Sequence, residues 1–171
     1  MTAQAAAALQ PVLQLQPERP EDDPLIEALH DRAFGPGRFT KVSERVREFA
    51  AFRPDLSFCA FEDGRLVGTV RQWLVHVGGR PVIFLGPLAV EAEARKAGAG
   101  GALVERACQA ATEAGFGAVL LVGDEPYFAR FGFSAAPARQ IALPGPVDQR
   151  RVLVRVLASG GGEGLAGAVT A

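Results

Sequence analysis

Three glycines, Gly98, Gly100 and Gly101, stand within four residues, just after Arg95 and Lys96 and just before a helical run that begins at Ala102. Backbone N–H groups at a helix start have no intrahelical partner, and glycine lets an anion come close to them. This composition reads as an anion cradle, with Arg95 and Lys96 adding positive charge beside it. Net charge is -1, so the chain has no general attraction to nucleic acid or an anionic membrane, and an anion site has to be local.

Two nucleotide loops compete for the same stretch. A Walker loop needs Lys and then Ser or Thr after its last glycine, and Gly100-Gly101-Ala102 has neither. A dinucleotide fingerprint starting at Gly98-Ala99-Gly100 needs its third glycine where Leu103 stands, and it should follow its strand directly. Here Glu91 to Ala97 intervene. Neither loop fits. Glycines that only allow close helix packing remain the alternative for the turn taken alone.

The strand before the cradle, Val82 to Val90, is apolar and contains Gly86-Pro87. Proline inside a strand removes a ladder hydrogen bond and belongs at an edge or a bulge. A bulge here would turn the second half of the strand out of register and leave backbone groups of Leu88, Ala89 and Val90 unpaired. An extended ligand containing amides would satisfy them.

The elements that position these residues can be followed along the chain. Residues 1–10 read as a loose leader. Its alanine run, Ala5 to Ala8, has no basic residue before it, which argues against a signal peptide. Val12 to Gln16 alternates as a first strand. A helix follows Asp22-Asp23, with Pro24 in its first turn and Leu25, Ile26, Leu29, Ala33 and Phe34 on one face. A second helix carries Val42, Val46, Phe49, Ala50 and Phe52, and Pro54 stops it. Leu56 to Phe61 and Leu66 to Val77 form a hairpin around Asp63-Gly64.

The glycines open a helix with Leu103, Ala107, Ala110 and Ala114 on its buried stripe, ended by Gly115. Ala118 to Val122 is wholly apolar, as a central parallel strand should be. Strand, crossover helix and strand make a βαβ unit. Tyr127 to Phe133 is an aromatic stretch on a short helix. Residues 139–143 and 152–157 suggest a closing antiparallel pair, and residues 159–171 a glycine-rich, loosely packed tail.

Other chemistry is thin. Cys59 and Cys108 fall in a strand and a helix with no metal spacing around them, and read as buried free thiols. His30 and His76 have no partner in sequence. No run approaches the roughly 18 apolar residues of a membrane helix. A cytoplasmic protein with one domain over residues 11–158 is expected.

Arg95-Lys96-Ala97-Gly98-Ala99-Gly100 resembles the coenzyme A pyrophosphate loop, [RQ]-x-x-G-x-[GA], of the GNAT superfamily of N-acetyltransferases. Leu85 to Val90 resembles the strand before that loop. Arg130-Phe131-Gly132-Phe133 resembles the R-F-G-F signature of one bacterial branch of predicted acetyltransferases, and Leu143 to Asp148 the turn before its last strands. The order of elements from Val12 to Leu157 fits as well. The resemblance implies an α/β (α+β) fold: a mixed, mostly antiparallel sheet of about seven strands, helices on both faces and a splayed pair of central parallel strands.

The resemblance also implies acetyl-CoA as cosubstrate, no metal, and direct acetyl transfer to a primary amine on a small molecule or peptide. No nucleic acid or membrane partner is implied, and a homodimer stays open. Leu88, Ala89 and Val90 would meet the pantetheine amides. Arg95, Lys96, Ala97, Gly98, Ala99, Gly100 and Gly101 would meet the pyrophosphate, with Phe128 and Arg130 as further cofactor contacts. In much of the superfamily a tyrosine four residues before the glycine of the G-F pair protonates the leaving thiolate. That position is Phe128 here. Tyr127 is the nearest substitute acid, one helical position and about 100° of rotation away. Glu91 and Glu93 are candidates to draw a proton from the amine through water. The competing reading, favoured by Phe128, is a module of the same fold that binds an acyl-CoA with little or no catalysis.

Overall fold

In chain order the strands are β1 (Leu13–Pro17), β2 (Ala51–Phe52), β3 (Phe58–Glu62), β4 (Arg65–Val77), β5 (Arg80–Val90), β6 (Ala118–Val122), β7 (Gln140–Ala142), β8 (Val152–Val156) and β9 (Ala166–Thr170). The helices are α1 (Asp23–Phe34), α2 (Val42–Phe49), α3 (Ala92–Arg95), α4 (Ala99–Glu113) and α5 (Glu125–Phe128). These come from a computed structural model that describes residues 12–171. The leader expected over residues 1–10 lies outside that range.

The sheet runs β1-β3-β4-β5-β6-β8, with β2 and β9 pairing along β4 and β7 pairing β9. Its ladders are antiparallel except β5–β6 and β7–β9. The sheet thus has nine strands where about seven were expected, and it keeps the mixed, mostly antiparallel character. Asp63 and Gly64, both at positive φ, make the two-residue turn that sets the β3–β4 register.

Strand alternation divides the core between the two faces. Phe58, Ala60, Ile83, Leu85, Val119 and Leu121 point to α4, whose Leu103, Val104 and Ala107 are buried against them. Gln72 adds a bond across this layer, donating from Nε2 to Ala107 O at 2.9 Å. Their neighbours point the other way. Cys59, Phe61 and Ala89 meet Ile26 and Leu29 of α1, and Val82, Phe84 and Leu120 meet Val46 of α2. Cys59 and Cys108 are buried free thiols, as expected, and burial raises their pKa values to about 12 and about 11.

Several elements depart from the sequence reading. Leu25 is exposed, and the buried face of α1 is set by Ile26, Leu29 and His30. Asp22 does not cap α1 through its side chain; its carboxylate is held by the Arg19 backbone and guanidinium. α2 ends at Phe49, and Ala51 and Phe52 pair with Leu74 and Trp73 as β2. Ala114 is exposed beyond the end of α4.

Residues 139–143 and 152–157 do not pair with each other. β8 pairs with β6, and β7 pairs with β9. The tail expected over 159–171 is in the sheet from Ala166 to Thr170, where Val169 and Thr170 face Val77 and His76. Two of its glycines, Gly161 and Gly162, serve close approach. A Cβ on Gly161 would collide with the Gly117 backbone, and one on Gly78 would come within 2.7 Å of Ala166 O.

Candidate functional site

The centre of the site is where β5 leaves β6. The parallel ladder has only two steps, Ile83–Val119 and Phe84–Leu120. On the other side β5 stays on β4, but its register jumps between Leu85–Gln72 and Leu88–Val70. Gly86 and Pro87, joined by a cis peptide, oppose the single residue Arg71, which makes a β-bulge. Trp73 fastens it by donating from Nε1 to Gly86 O at 2.6 Å. Arg71 anchors the far side, reaching Glu18 and Asp23 at 2.8 Å each.

Beyond the bulge the outer edge of β5 is open. Glu91 N–H donates to Val67 O at 2.8 Å, so by alternation Ala89 faces β4 while Leu88 and Val90 turn their backbone groups outward. Val90 O is taken by Arg95 Nε at 3.0 Å, which leaves the Val90 N–H for a ligand.

The glycine turn stands beside this edge. Gly98, at φ +81, is the residue before α4. The N–H groups of Ala99, Gly100 and Gly101 have no acceptor among the described residues. They are the spare donors of a helix start, at its positive end. The missing side chains matter. A Cβ on Gly100 would lie 2.8 Å from the Tyr127 hydroxyl, and one on Gly101 3.1 Å from the Phe131 ring.

A cleft of about 700 Å³ runs along these donors. Of the residues expected to contact a cofactor, Leu88, Ala89, Val90, Arg95, Gly98, Gly100, Gly101 and Arg130 line it. Arg130 lies over the Tyr127 ring, 4.9 Å from its centroid. Lys96 and Ala97 are exposed and do not line the cleft, and Ala99 is buried beneath the turn. Ala33, Phe34, Asp124 and Phe131 also line the cleft. Phe131 belongs to the R-F-G-F stretch, and no sequence motif marks the other three.

A second cavity, about 440 Å³, opens on the bulge side. Gly86, Pro87 and Phe128 line it, and it shares Phe34, Leu88 and Asp124 with the cleft. The adjacent rings of α5 are therefore divided. Tyr127 puts its hydroxyl against the glycine turn, while Phe128 lies against Gly123 and faces the second cavity. Phe128, expected as a cofactor contact, lines the second cavity and not the cleft.

Neither carboxylate expected to act as a base lines either cavity. Glu91 is held by Arg32 Nη2 at 2.6 Å. Glu93 is exposed, with Arg65 as its nearest cation at 3.8 Å. The one carboxylate that does line both spaces is Asp124, which Arg151 holds at 2.9 Å. No group of three or more metal-ligating side chains occurs among the described residues.

His30 is buried behind the site and is no base either. Neither ring nitrogen has a hydrogen-bond partner, and Glu27 is 3.7 Å away. Burial foremost, and then Arg71, lower its pKa to about 4, with Glu27 alone opposing. A histidine neutral when folded but protonated when unfolded contributes stability fully above about pH 6.5. That contribution is lost as pH falls toward 4. His30→Leu is expected to remove on the order of 2 kcal/mol of this acid loss, read from urea unfolding at pH values of about 7 and about 4.5. Glu18, raised above 4.5 by burial, works in the opposite direction. The difference in slope between the two proteins therefore isolates His30, and equal slopes would show that His30 does not titrate this way.

With this geometry in hand, the chain can be set beside known proteins. The model of the acetyltransferase (GNAT) family matches residues 24–133. The uncharacterized N-acetyltransferase YhbS of Escherichia coli (strain K12) is 31% identical over 155 residues, which span 89% of this chain and 92% of YhbS. The crystal structure of E. coli YhbS in complex with CoA superposes with a TM-score of 0.78 at 28% identity, covering 94% of this chain and 89% of that one. A GNAT family acetyltransferase from Brucella melitensis in complex with acetyl-CoA gives 0.61 at 27% identity, covering 84% and 96%.

Proposed function

The chain belongs to the acetyltransferase (GNAT) family, and from that membership we propose that it transfers an acetyl group from acetyl-CoA directly to a primary amine. One observation carries the reading. The open edge of β5, with outward Leu88 and Val90, runs beside three unpartnered N–H groups at the start of α4. That edge suits amides, and the helix start suits a pyrophosphate. The relatives crystallised with CoA and acetyl-CoA support the same ligand.

In this reading acetyl-CoA lies in the cleft with its thioester toward the bulge, and the amine enters from the second cavity. The neutral amine attacks the thioester carbonyl, a C–N bond forms and the C–S bond breaks. The amine nitrogen gives up a proton and the thiolate takes one. An outward N–H of β5, at Leu88 or Val90, is suited to stabilise charge on the carbonyl oxygen. Arg95 serves the site indirectly, by fixing Val90 O. Tyr127 acts at the glycine turn, which leaves water as the proton donor to the thiolate, since a thiol leaves with little assistance. Glu91 and Glu93, which line neither cavity, act through intervening water.

Phe128 favours a second reading, an acyl-CoA-binding protein with little catalysis. Two measurements decide. Calorimetry is expected to give a Kd for acetyl-CoA on the order of 10–100 μM, with no heat from NAD or ATP. Absence of acetyl-CoA binding at millimolar concentration sinks both readings. Thiol release over a panel of primary amines then separates them, because the binding-only reading expects none.

A further inference from the structure

The second cavity carries a chemical bias that the family membership does not supply. Four cations line it, Arg38, Lys41, Arg47 and Arg151, against one carboxylate, Asp124. Arg151 and Asp124 hold each other. The other three come from the helical turn Pro36–Thr40 and from the start and last turn of α2.

Their donors are incompletely used. Arg47 spends Nε and Nη2 on Glu44, at 3.2 and 2.7 Å. Its Nη1 has no hydrogen-bond partner among the described residues, and it lies 3.7 Å from where a Cβ on Gly86 would stand. That donor is therefore beside the bulge, on a side chain only 10% exposed. Arg38 gives Nη2 to Glu27 at 2.7 Å. Its buried Nε is 3.2 Å from Asp31 but has no hydrogen bond of proper geometry. Lys41 has no carboxylate within 4.0 Å among the described residues, and its Nζ sits 4.7 Å from the Phe34 ring centroid. The carboxylates that neutralise Arg38 and Arg47, namely Glu27, Asp31 and Glu44, do not line the cavity.

A guanidinium held from behind, with a spare N–H beside a cavity that further cations line, is suited to a carboxylate or phosphate-type oxygen. A second ammonium group would meet four cations there, against one carboxylate, Asp124, that Arg151 already holds. Resting on the acetyl-transfer reading above, we propose that the acceptor is a small primary amine bearing an acidic group, and that Arg47, with Arg38 and Lys41, receives that group. The Pro87, Leu121 and Phe128 side chains that complete the wall suit a short methylene body between acid and amine. Arg47 then acts as the specificity residue, turning the amine toward the open edge of β5.

The test uses CoA-loaded protein titrated by calorimetry with three matched amines: 3-aminopropanoate, 3-aminopropylphosphonate and 1,3-diaminopropane. Fluorescence of Trp73, the sole tryptophan, reports binding at the bulge to which its indole is bonded. At least one acid-bearing amine is expected to bind about tenfold or more tightly than the diamine. Which of the two does so tells carboxylate from phosphonate. Arg47→Gln is expected to erase the preference, and in thiol-release kinetics to raise KM for the acid-bearing amine rather than lower kcat. Lys41→Ala, at an exposed position, is expected to weaken the same binding without unfolding risk. Equal or tighter binding of the diamine, no binding of either acid-bearing amine, or an unchanged preference in both variants overturns the proposal. Loss of acetyl-CoA binding would overturn the transfer reading, whereas acetyl-CoA binding without anion preference overturns only this one.

Discussion

Gly100→Glu is expected to abolish acetyl-CoA binding, raising Kd by about 100-fold or more, since it adds bulk and like charge to a site whose favourable terms are charge-assisted hydrogen bonds. The backbone of Gly100 stands in the middle of three spare N–H groups, and even a methyl there would come within 2.8 Å of the Tyr127 hydroxyl. A glutamate has to push Tyr127 aside or reach into the cleft, and its carboxylate then occupies the helix start that an anion would use. Gly98→Glu is the milder companion. No atom lies within 4 Å of a Cβ there, so its cost comes from the positive φ of +81 and from charge. Calorimetry with acetyl-CoA and thermal unfolding of each variant are the measurements. A folded Gly100→Glu protein with unchanged affinity would mean that the cofactor lies elsewhere.

The bulge and the glycine turn of the candidate site were legible in the sequence because their signals are local. Gly86-Pro87 within an apolar run foretells a bulge, and the structure has one there, with β5 leaving β6 after Phe84. Gly98, Gly100 and Gly101 before a helical stripe foretell free N–H groups at a helix start, and those are present. The same locality explains the failures. Lys96 follows Arg95 directly, yet only Arg95 reaches the cleft, because adjacent helical positions point about 100° apart. Tyr127 and Phe128 separate for the same reason, one toward the glycine turn and one toward the second cavity.

The second cavity was not legible. Arg38, Lys41 and Arg47 are scattered over a helical turn and a short helix with no motif, and they gain meaning only when α2 packs beside Gly86. Burial of the Arg47 guanidinium, which pulls its pKa down against the opposing pull of Glu44, is a property of that packing. The tail failed for a different reason. Glycine-rich sequence from Gly160 reads as freedom, but Gly161 and Gly117 are glycines because two backbones touch, and Leu165 and Val169, further along, are buried in the core. Composition cannot tell a flexible glycine from a close-packed one.

Phe128→Tyr is expected to raise kcat by about tenfold, less than the roughly 10²–10⁴ of a general acid acting on a poorer leaving group. The ring lies in the cavity beside Gly86, Pro87 and Leu88, so a hydroxyl at its tip would enter the space where the thiolate is expected to form. In the proposed reaction water supplies that proton to the wild-type protein, because the Tyr127 hydroxyl is set against Gly100. The acid would also leave a mark in pH. The variant should lose its advantage as pH rises toward about 10, where tyrosine ionises, while the wild-type profile lacks that limb. KM for acetyl-CoA should change little, since Phe128 does not line the cleft. The T-shaped contacts of this ring with Tyr127 and Phe133, at centroid distances of 4.9 and 5.8 Å, set the condition for the outcome. If the added oxygen disturbs them, activity falls with thermal stability, and a stability measurement recognises that case. A large loss of activity in a variant as stable as wild type would show instead that the cavity needs phenylalanine for its shape, and the proton would then have to come from a group other than residue 128.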